Sequence, residues 1–192
     1  NYERVTFHPS YSYANFVGTY KPRPTKEGED KLTITYEFVP GPFLRILVAA
    51  FKNVDQQFLM LIEEINRANV TAVFGDVFQL LDRKGGKSEF PISISRDMLE
   101  YLEKATEQKL GDDYKLEIPS NLFIWATMNS ADQGVFPVDS AFKRRWDFTY
   151  LGVNEKANEI SNKKIELSCG ETIEWDPLRR KINDRLTSSR VN

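Results

Sequence analysis

One cysteine and one histidine are too few for much of the chemistry those residues support. Cys169 has no partner for an intramolecular disulfide, which suits a reducing cytosol. His8 and Cys169 cannot supply a zinc site that needs several His or Cys ligands. No apolar run approaches the roughly 20 residues needed to cross a bilayer, and no charged-then-apolar leader opens the chain. With no initiator methionine either, the sequence reads as an internal fragment. Repeats and low-complexity tracts are absent as well. Neither charge dominates: 26 basic and 28 acidic side chains leave a net charge of −2, too balanced for a surface that attracts nucleic acid everywhere. The imbalance is local, since residues 141–192 carry 11 basic and 8 acidic side chains, an excess that a solvated helix face accounts for. A GxxxxGKS/T phosphate loop is missing. Gly85-Gly86-Lys87-Ser88 ends alike, but lacks its spacing and a buried strand before it.

What is present begins with 192 residues, 41% of them hydrophobic, enough for one ordinary domain with a sizeable core. Its most informative stretch is Gln57 to Asn69. Phe58, Leu59, Met60, Leu61 and Ile62 run straight into Glu63 and Glu64. Such an apolar run suits a strand buried on both faces, as in a parallel sheet covered by helices. Acids at the carboxyl end of such a strand sit where open α/β sheets bind ligands. One carboxylate can hold a metal, and the next can orient or deprotonate a water. A buried strand ending in a solvated acidic turn would read the same way. A second stretch repeats the design: Asn121 to Trp125 is an apolar strand that continues through Ala126-Thr127-Met128 to Asn129, and a short helix later ends in Arg144 and Arg145.

Taken together, EEINRAN, ATMNSAD and DSAFKRRWDF resemble the McrB-type branch of AAA+ proteins, the motor subunits of methylation-dependent restriction, as does the opening FHPSYSYANFVGTYKP. The resemblance covers about Val5 to Phe148. It implies an α/β fold: a P-loop NTPase-like AAA+ core, a mainly parallel sheet flanked by helices, with hairpin and helical insertions. Residues 1–151 would be a partial core without the phosphate loop, and residues 152–192 a helical segment leading toward the lid. By the same resemblance Glu63, with Glu64, would hold Mg²⁺, Glu64 would activate water, and Asn129 would steady that water or the γ-phosphate. Asp132 belongs to the same nucleotide-binding signature. Arg144 and Arg145 would reach the nucleotide of a neighbouring subunit, although a helix C-terminus also favours cations through its dipole. Two positions depart from the pattern: Glu63 stands where the family has Asp, and Gln133 where it has Arg.

The resemblance further implies ATP or GTP as the nucleotide, a homo-oligomeric ring (a hexamer), a nuclease partner subunit, DNA in the full assembly, a cytoplasmic location and no membrane. A related remodeller of protein without a DNA role, or a scaffold with a degraded site, are the rival expectations. The fragment itself, lacking the phosphate cradle, is expected to bind nucleotide weakly or not at all and to be inactive alone.

Elsewhere, pattern predicts strands over Arg4–Phe7, Leu32–Phe38, Ile92–Ser95 and Phe148–Leu151, with Tyr114–Ile118 pairing back on residues 90–94. Helices are predicted over Phe43–Lys52, Val70–Asp82, Arg96–Lys109, Val138–Arg144, Asn154–Lys164 and Asp176–Leu186. Lys21–Lys31 and Arg83–Ser88 read as loops. Tyr11, Tyr13, Phe16 and Tyr20 either pin a loop to the core or stack on bases.

Overall fold

A computed structural model describes residues 1–27, 31–129 and 134–188, which form two compact units, Asn1–Trp146 and Asp147–Asn192. Two predicted site positions, Asp132 and Gln133, lie outside the described residues.

The first unit is built on a parallel three-stranded sheet. Strand β1 (Tyr2–Thr6) leads through a one-turn helix α1 (Tyr13–Phe16) into an antiparallel ribbon, β2 (Gly18–Glu27) and β3 (Lys31–Pro40). Helix α2 (Pro42–Lys52) follows, then β4 (Phe58–Glu63). Pro42 opens α2, where its missing N–H is no loss. Gly41 before it lies against the backbone of Phe16, leaving no room for a side chain. The helix buries Phe43, Leu44, Ile46, Leu47 and Ala50 and packs on β1 and β4. These meet Phe7, Phe16 and Phe74 in one core, whose rings lie at 4.8–6.4 Å. Fully burying a phenylalanine contributes roughly 1.5–3 kcal/mol.

Strand β4 runs down the middle of the sheet, between β1 and the last strand of this unit. Its burial alternates: Phe58, Met60 and Ile62 are buried, while Leu59, Leu61 and Glu63 are half-exposed. The predicted burial on both faces therefore holds on one face only, the one α2 covers.

After β4 come helix α3 (Val70–Phe74), capped by the Asn69 side chain (3.2 Å from the Ala72 N–H), and a 3₁₀ segment, Gly75–Leu81. The single helix expected over Val70–Asp82 is thus broken at Gly75, whose φ of 53° lies outside the helical range and suits glycine. The expected loop at Arg83–Ser88 is a minimal hairpin, β5 (Arg83–Lys84) and β6 (Lys87–Ser88). Gly85 and Gly86 both take positive φ, as a two-residue hairpin turn requires. Arg83 pins this hairpin, donating to the carbonyls of Leu122 (2.7 Å), Pro119 (2.8 Å) and Gly86.

Strand β7 (Ile92–Ser93) pairs antiparallel with β8 (Lys115–Leu116), as predicted, around helix α4 (Arg96–Thr106). Strand β9 (Leu122–Ala126) then pairs parallel with β4, setting Phe58 beside Leu122 and Ile62 beside Ala126. Helix α5 (Ser140–Lys143) closes the unit.

The ribbon β2–β3 corrects the predicted loop over Lys21–Lys31. Pro22 and Pro24 made that stretch read as a turn. A two-stranded ribbon has free edges, however, and an edge strand tolerates proline because an outward N–H has no ladder partner to lose. Of the aromatic rings before it, Phe16 is buried, Tyr11 stacks on Phe7 at 4.7 Å, and Tyr13 packs on the core. Burial, and then Asp76, push the Tyr13 hydroxyl above its ordinary pKa.

In the second unit a hairpin, β10 (Lys164–Glu166) and β11 (Thr172–Glu174), lies between helices α6 (Ala157–Ile160) and α7 (Trp175–Ser188). The helix expected over Asn154–Lys164 is reduced to α6. The strand expected over Phe148–Leu151 does not form: Phe148, Tyr150 and Leu151 are exposed, with no strand beside them among the described residues.

Candidate functional site

The carboxyl ends of β4 and β9 are stitched together. Thr127 donates its N–H to the carbonyl of Ile62 (2.8 Å), and its own carbonyl accepts from the N–H of Ile65 (3.0 Å). The Glu64 N–H approaches the Thr127 hydroxyl oxygen at 3.2 Å. Beyond them, the Asn66 side-chain amide donates to the carbonyl of Asn129 (2.9 Å), and the Asn66 carbonyl accepts from Phe136 N–H (2.8 Å). The acidic pair and the segment carrying Asn129 are thereby held at one end of the sheet.

Glu63 and Glu64 are held differently. Glu63 accepts from the Arg4 guanidinium (2.7 Å) and the Thr6 hydroxyl (3.2 Å), both on β1. The Arg4 hydrogen bond holds the Glu63 carboxyl below the usual carboxylate range. Glu64 lies just past the strand at φ 55°, ψ 45°, a left-handed backbone uncommon for a residue with a Cβ and frequent at functional sites. Its carboxylate meets Arg67 Nε at 3.0 Å. Chemically, the pair could supply the one or two carboxylate oxygens that Mg²⁺ takes when phosphates complete its shell. Among the described residues no cluster of three or more His, Cys, Asp or Glu could hold a metal by protein ligands alone.

Arg144 and Arg145 stand at the end of α5. The side chain of Asp139 caps that helix, accepting from the Phe142 N–H at 2.7 Å. Arg145 turns inward onto Asp82, whereas Arg144 is exposed. Arg4, Thr6, Asn66, Thr127 and Asp82 all escape the sequence reading. Arg67 carried a signal, three residues from Glu64 in the same motif. Arg4, Thr6 and Asp82 carried none, because only the strand register and the fold bring them to their partners.

No family model matches the chain. The BsuMI component YdiS, a type II restriction enzyme component of Bacillus subtilis strain 168, is 43% identical over 96% of this chain and 59% of its own length. The EcoKMcrB subunit, of a type IV methyl-directed restriction enzyme from Escherichia coli K12, is 28% identical over 95% of this chain and 37% of its own. Along nearly its whole length the chain is therefore similar to two restriction-enzyme components, one of them an McrB subunit. It spans about half the length of these two curated relatives. A solved Cytophaga hutchinsonii protein, provisionally assigned as an ATPase, matches 82% of this chain and 36% of its own length with a TM-score of 0.42 and 16% identity, a level too low to bear on function. No helix among the described residues is long and apolar enough to cross a membrane.

Proposed function

We propose that this chain is part of an McrB-type AAA+ protein, a nucleoside triphosphatase motor of a DNA restriction system, working as a homo-oligomeric ring with a nuclease partner. The observation that carries the reading is the joining of the acidic pair to the Asn129 segment at the carboxyl ends of adjacent parallel strands. The relatives, both restriction-enzyme components, support the setting.

In this reading Glu63 and Glu64 would hold Mg²⁺ beside ATP or GTP, and the ion would supply positive charge to the phosphates. Glu64 orients the attacking water or takes its proton. Asn129 donates to that water or to the γ-phosphate, and Asp132 completes the nucleotide-binding signature. The end of α5 reaches the site of the next subunit, where an arginine is worth about 10³–10⁵ in rate. Arg4 favours the ionised form of Glu63 and, with Thr6, fixes its carboxylate against β1, so the longer Glu keeps a defined position.

The test is hydrolysis of ATP and of GTP by the full-length protein, with and without DNA. Glu64→Gln should abolish turnover, because the amide cannot take a proton, while nucleotide binding and assembly stay near wild type. Turnover by Glu64→Gln equal to wild type would remove Glu64 from this role. The 192-residue segment alone, without a phosphate loop, should bind neither nucleotide at micromolar concentration in calorimetry.

A further inference from the structure

Arg144 and Arg145 are adjacent in sequence and opposite in surroundings. The Arg145 side chain is 8% exposed. Its Nε and one terminal nitrogen contact the same Asp82 oxygen at 3.0 and 2.7 Å, and the other terminal nitrogen donates to the carbonyl of Ala141 at 2.7 Å. The guanidinium carbon lies 4.3 Å above the centre of the Phe78 ring, a cation–π contact. Every nitrogen of Arg145 is thus engaged within its own chain. Arg144 is 65% exposed, and its closest approach to Asp82 is 3.9 Å, too long for a hydrogen bond.

Helix α5 has four residues, and a single turn does not hold itself together in water. It is fixed from outside by Asp139 at its start and by Phe142, whose ring stacks between Phe78 (5.9 Å) and Trp146 (5.3 Å). Arg145 fixes its end. The adjoining cleft, about 500 Å³, is lined by Asp76 and Asp82 as well as both arginines, so it does not suit a phosphate itself. Arg144 is left exposed at the rim of this cleft.

We propose that Asp82 and Arg145 form an internal latch that sets the end of α5 and leaves Arg144 alone to contact an anionic group in trans, namely a nucleotide phosphate bound by the neighbouring subunit. Asp82, Phe78 and Arg145 are then positioning residues. This assignment rests on the motor reading above, and divides between two arginines a role that sequence gives to both.

A double-mutant cycle in the full-length protein tests it, reading steady-state hydrolysis, assembly by size exclusion, and the unfolding temperature. Arg144→Ala should lower kcat by about 10³-fold or more, with KM, assembly and unfolding temperature unchanged. Asp82→Ala and Arg145→Ala should each lower both the unfolding temperature and kcat, measured where the protein is still folded, with KM near wild type. The double variant should be no worse than either single, as for two residues that act only through each other. Should either alanine variant fail to fold, Asp82→Asn and Arg145→Lys keep size or charge, and should show the same pattern in smaller measure. The latch is overturned if Arg144→Ala hydrolyses at the wild-type rate. It is also overturned if Arg145→Ala loses hydrolysis with an unchanged unfolding temperature while Asp82→Ala is silent, since Arg145 would then be the contacting arginine. If the wild-type protein hydrolyses neither ATP nor GTP, the motor reading fails instead. The cycle in unfolding temperature then decides the latch alone: non-additive losses support it, and additive ones overturn it.

Discussion

The side-chain amide of Asn66 donates to the backbone carbonyl of Asn129, 63 positions further along the chain, at 2.9 Å. Asn66 is 2% exposed, and its side-chain oxygen Oδ1 has no partner among the described residues. The bond ties the turn after the acidic pair to the segment after β9, a link that neither motif reveals alone.

Removing it should be costly. Asn66→Ala removes this donor to the Asn129 carbonyl, and a lost buried hydrogen bond costs about 1–3 kcal/mol. Asn66→Asp should be worse, because it places an ionised acceptor against that carbonyl. Denaturant unfolding of the purified protein would show both losses. An Asp variant as stable as wild type would mean the contact is not made in solution.

Asn121 holds a comparable position at the start of β9. Its amide reaches three carbonyls, those of Ala50 (3.0 Å), Asn53 (3.1 Å) and Gln56 (2.9 Å), and so joins the end of α2 to β9. Asn121→Ala should destabilise by roughly 1–3 kcal/mol, read as a shift of the denaturation midpoint at constant slope. A changed slope would point instead to an altered unfolded state.

At Gly75 the backbone sits at φ 53°, and a Cβ built there would lie 2.8 Å from the Tyr13 ring. Gly75→Ala combines a strained conformation with a clash, each costing on the order of 1–3 kcal/mol. A lowered unfolding temperature is expected. Tyr13→Ala in the same background should not recover the wild-type value, because removing the ring relieves the clash and leaves the strain.

In the second unit, Asp176 sits between Arg179 (Nε at 3.1 Å) and Arg180 (Nε at 2.8 Å) at the start of α7. The Arg179 hydrogen bond, then that of Arg180, holds its carboxyl below the ordinary value of 3.8. A depressed folded-state pKa contributes stability above the unfolded value, lost as pH falls through the folded one. Asp176 should therefore titrate below 3.8 by carboxyl NMR, and Arg179→Ala should raise that midpoint. A midpoint at or above 3.8 in the wild type would mean the fork is open in solution.

These particulars mark how far sequence alone reaches. The runs at Phe58–Ile62 and Asn121–Trp125 announce their strands because five and four apolar residues in line have few other uses, and their pairing follows. The ribbon at β2–β3 stayed hidden because proline and charge signal turns, while its free edge exists only in three dimensions. Gly75 was visible as a glycine, yet only its packing against Tyr13 shows that it stops a helix. The arginine pair is the sharpest case. Two identical side chains are told apart by Asp82, which lies more than sixty positions upstream and shares no motif with them.

The half-exposed face of the central sheet has a practical consequence. Trp125 stands on it 64% exposed, in register with Leu61 of β4, while Trp146 is packed against Phe142. Trp146 and the third indole, Trp175 at the start of α7, are both half-buried. Anything that comes to lie against that face, whether another stretch of polypeptide or another subunit, would strip water from Trp125. With Trp146 and Trp175 replaced by Phe, the emission of Trp125 would shift to the blue, giving an optical record of assembly that needs no added label.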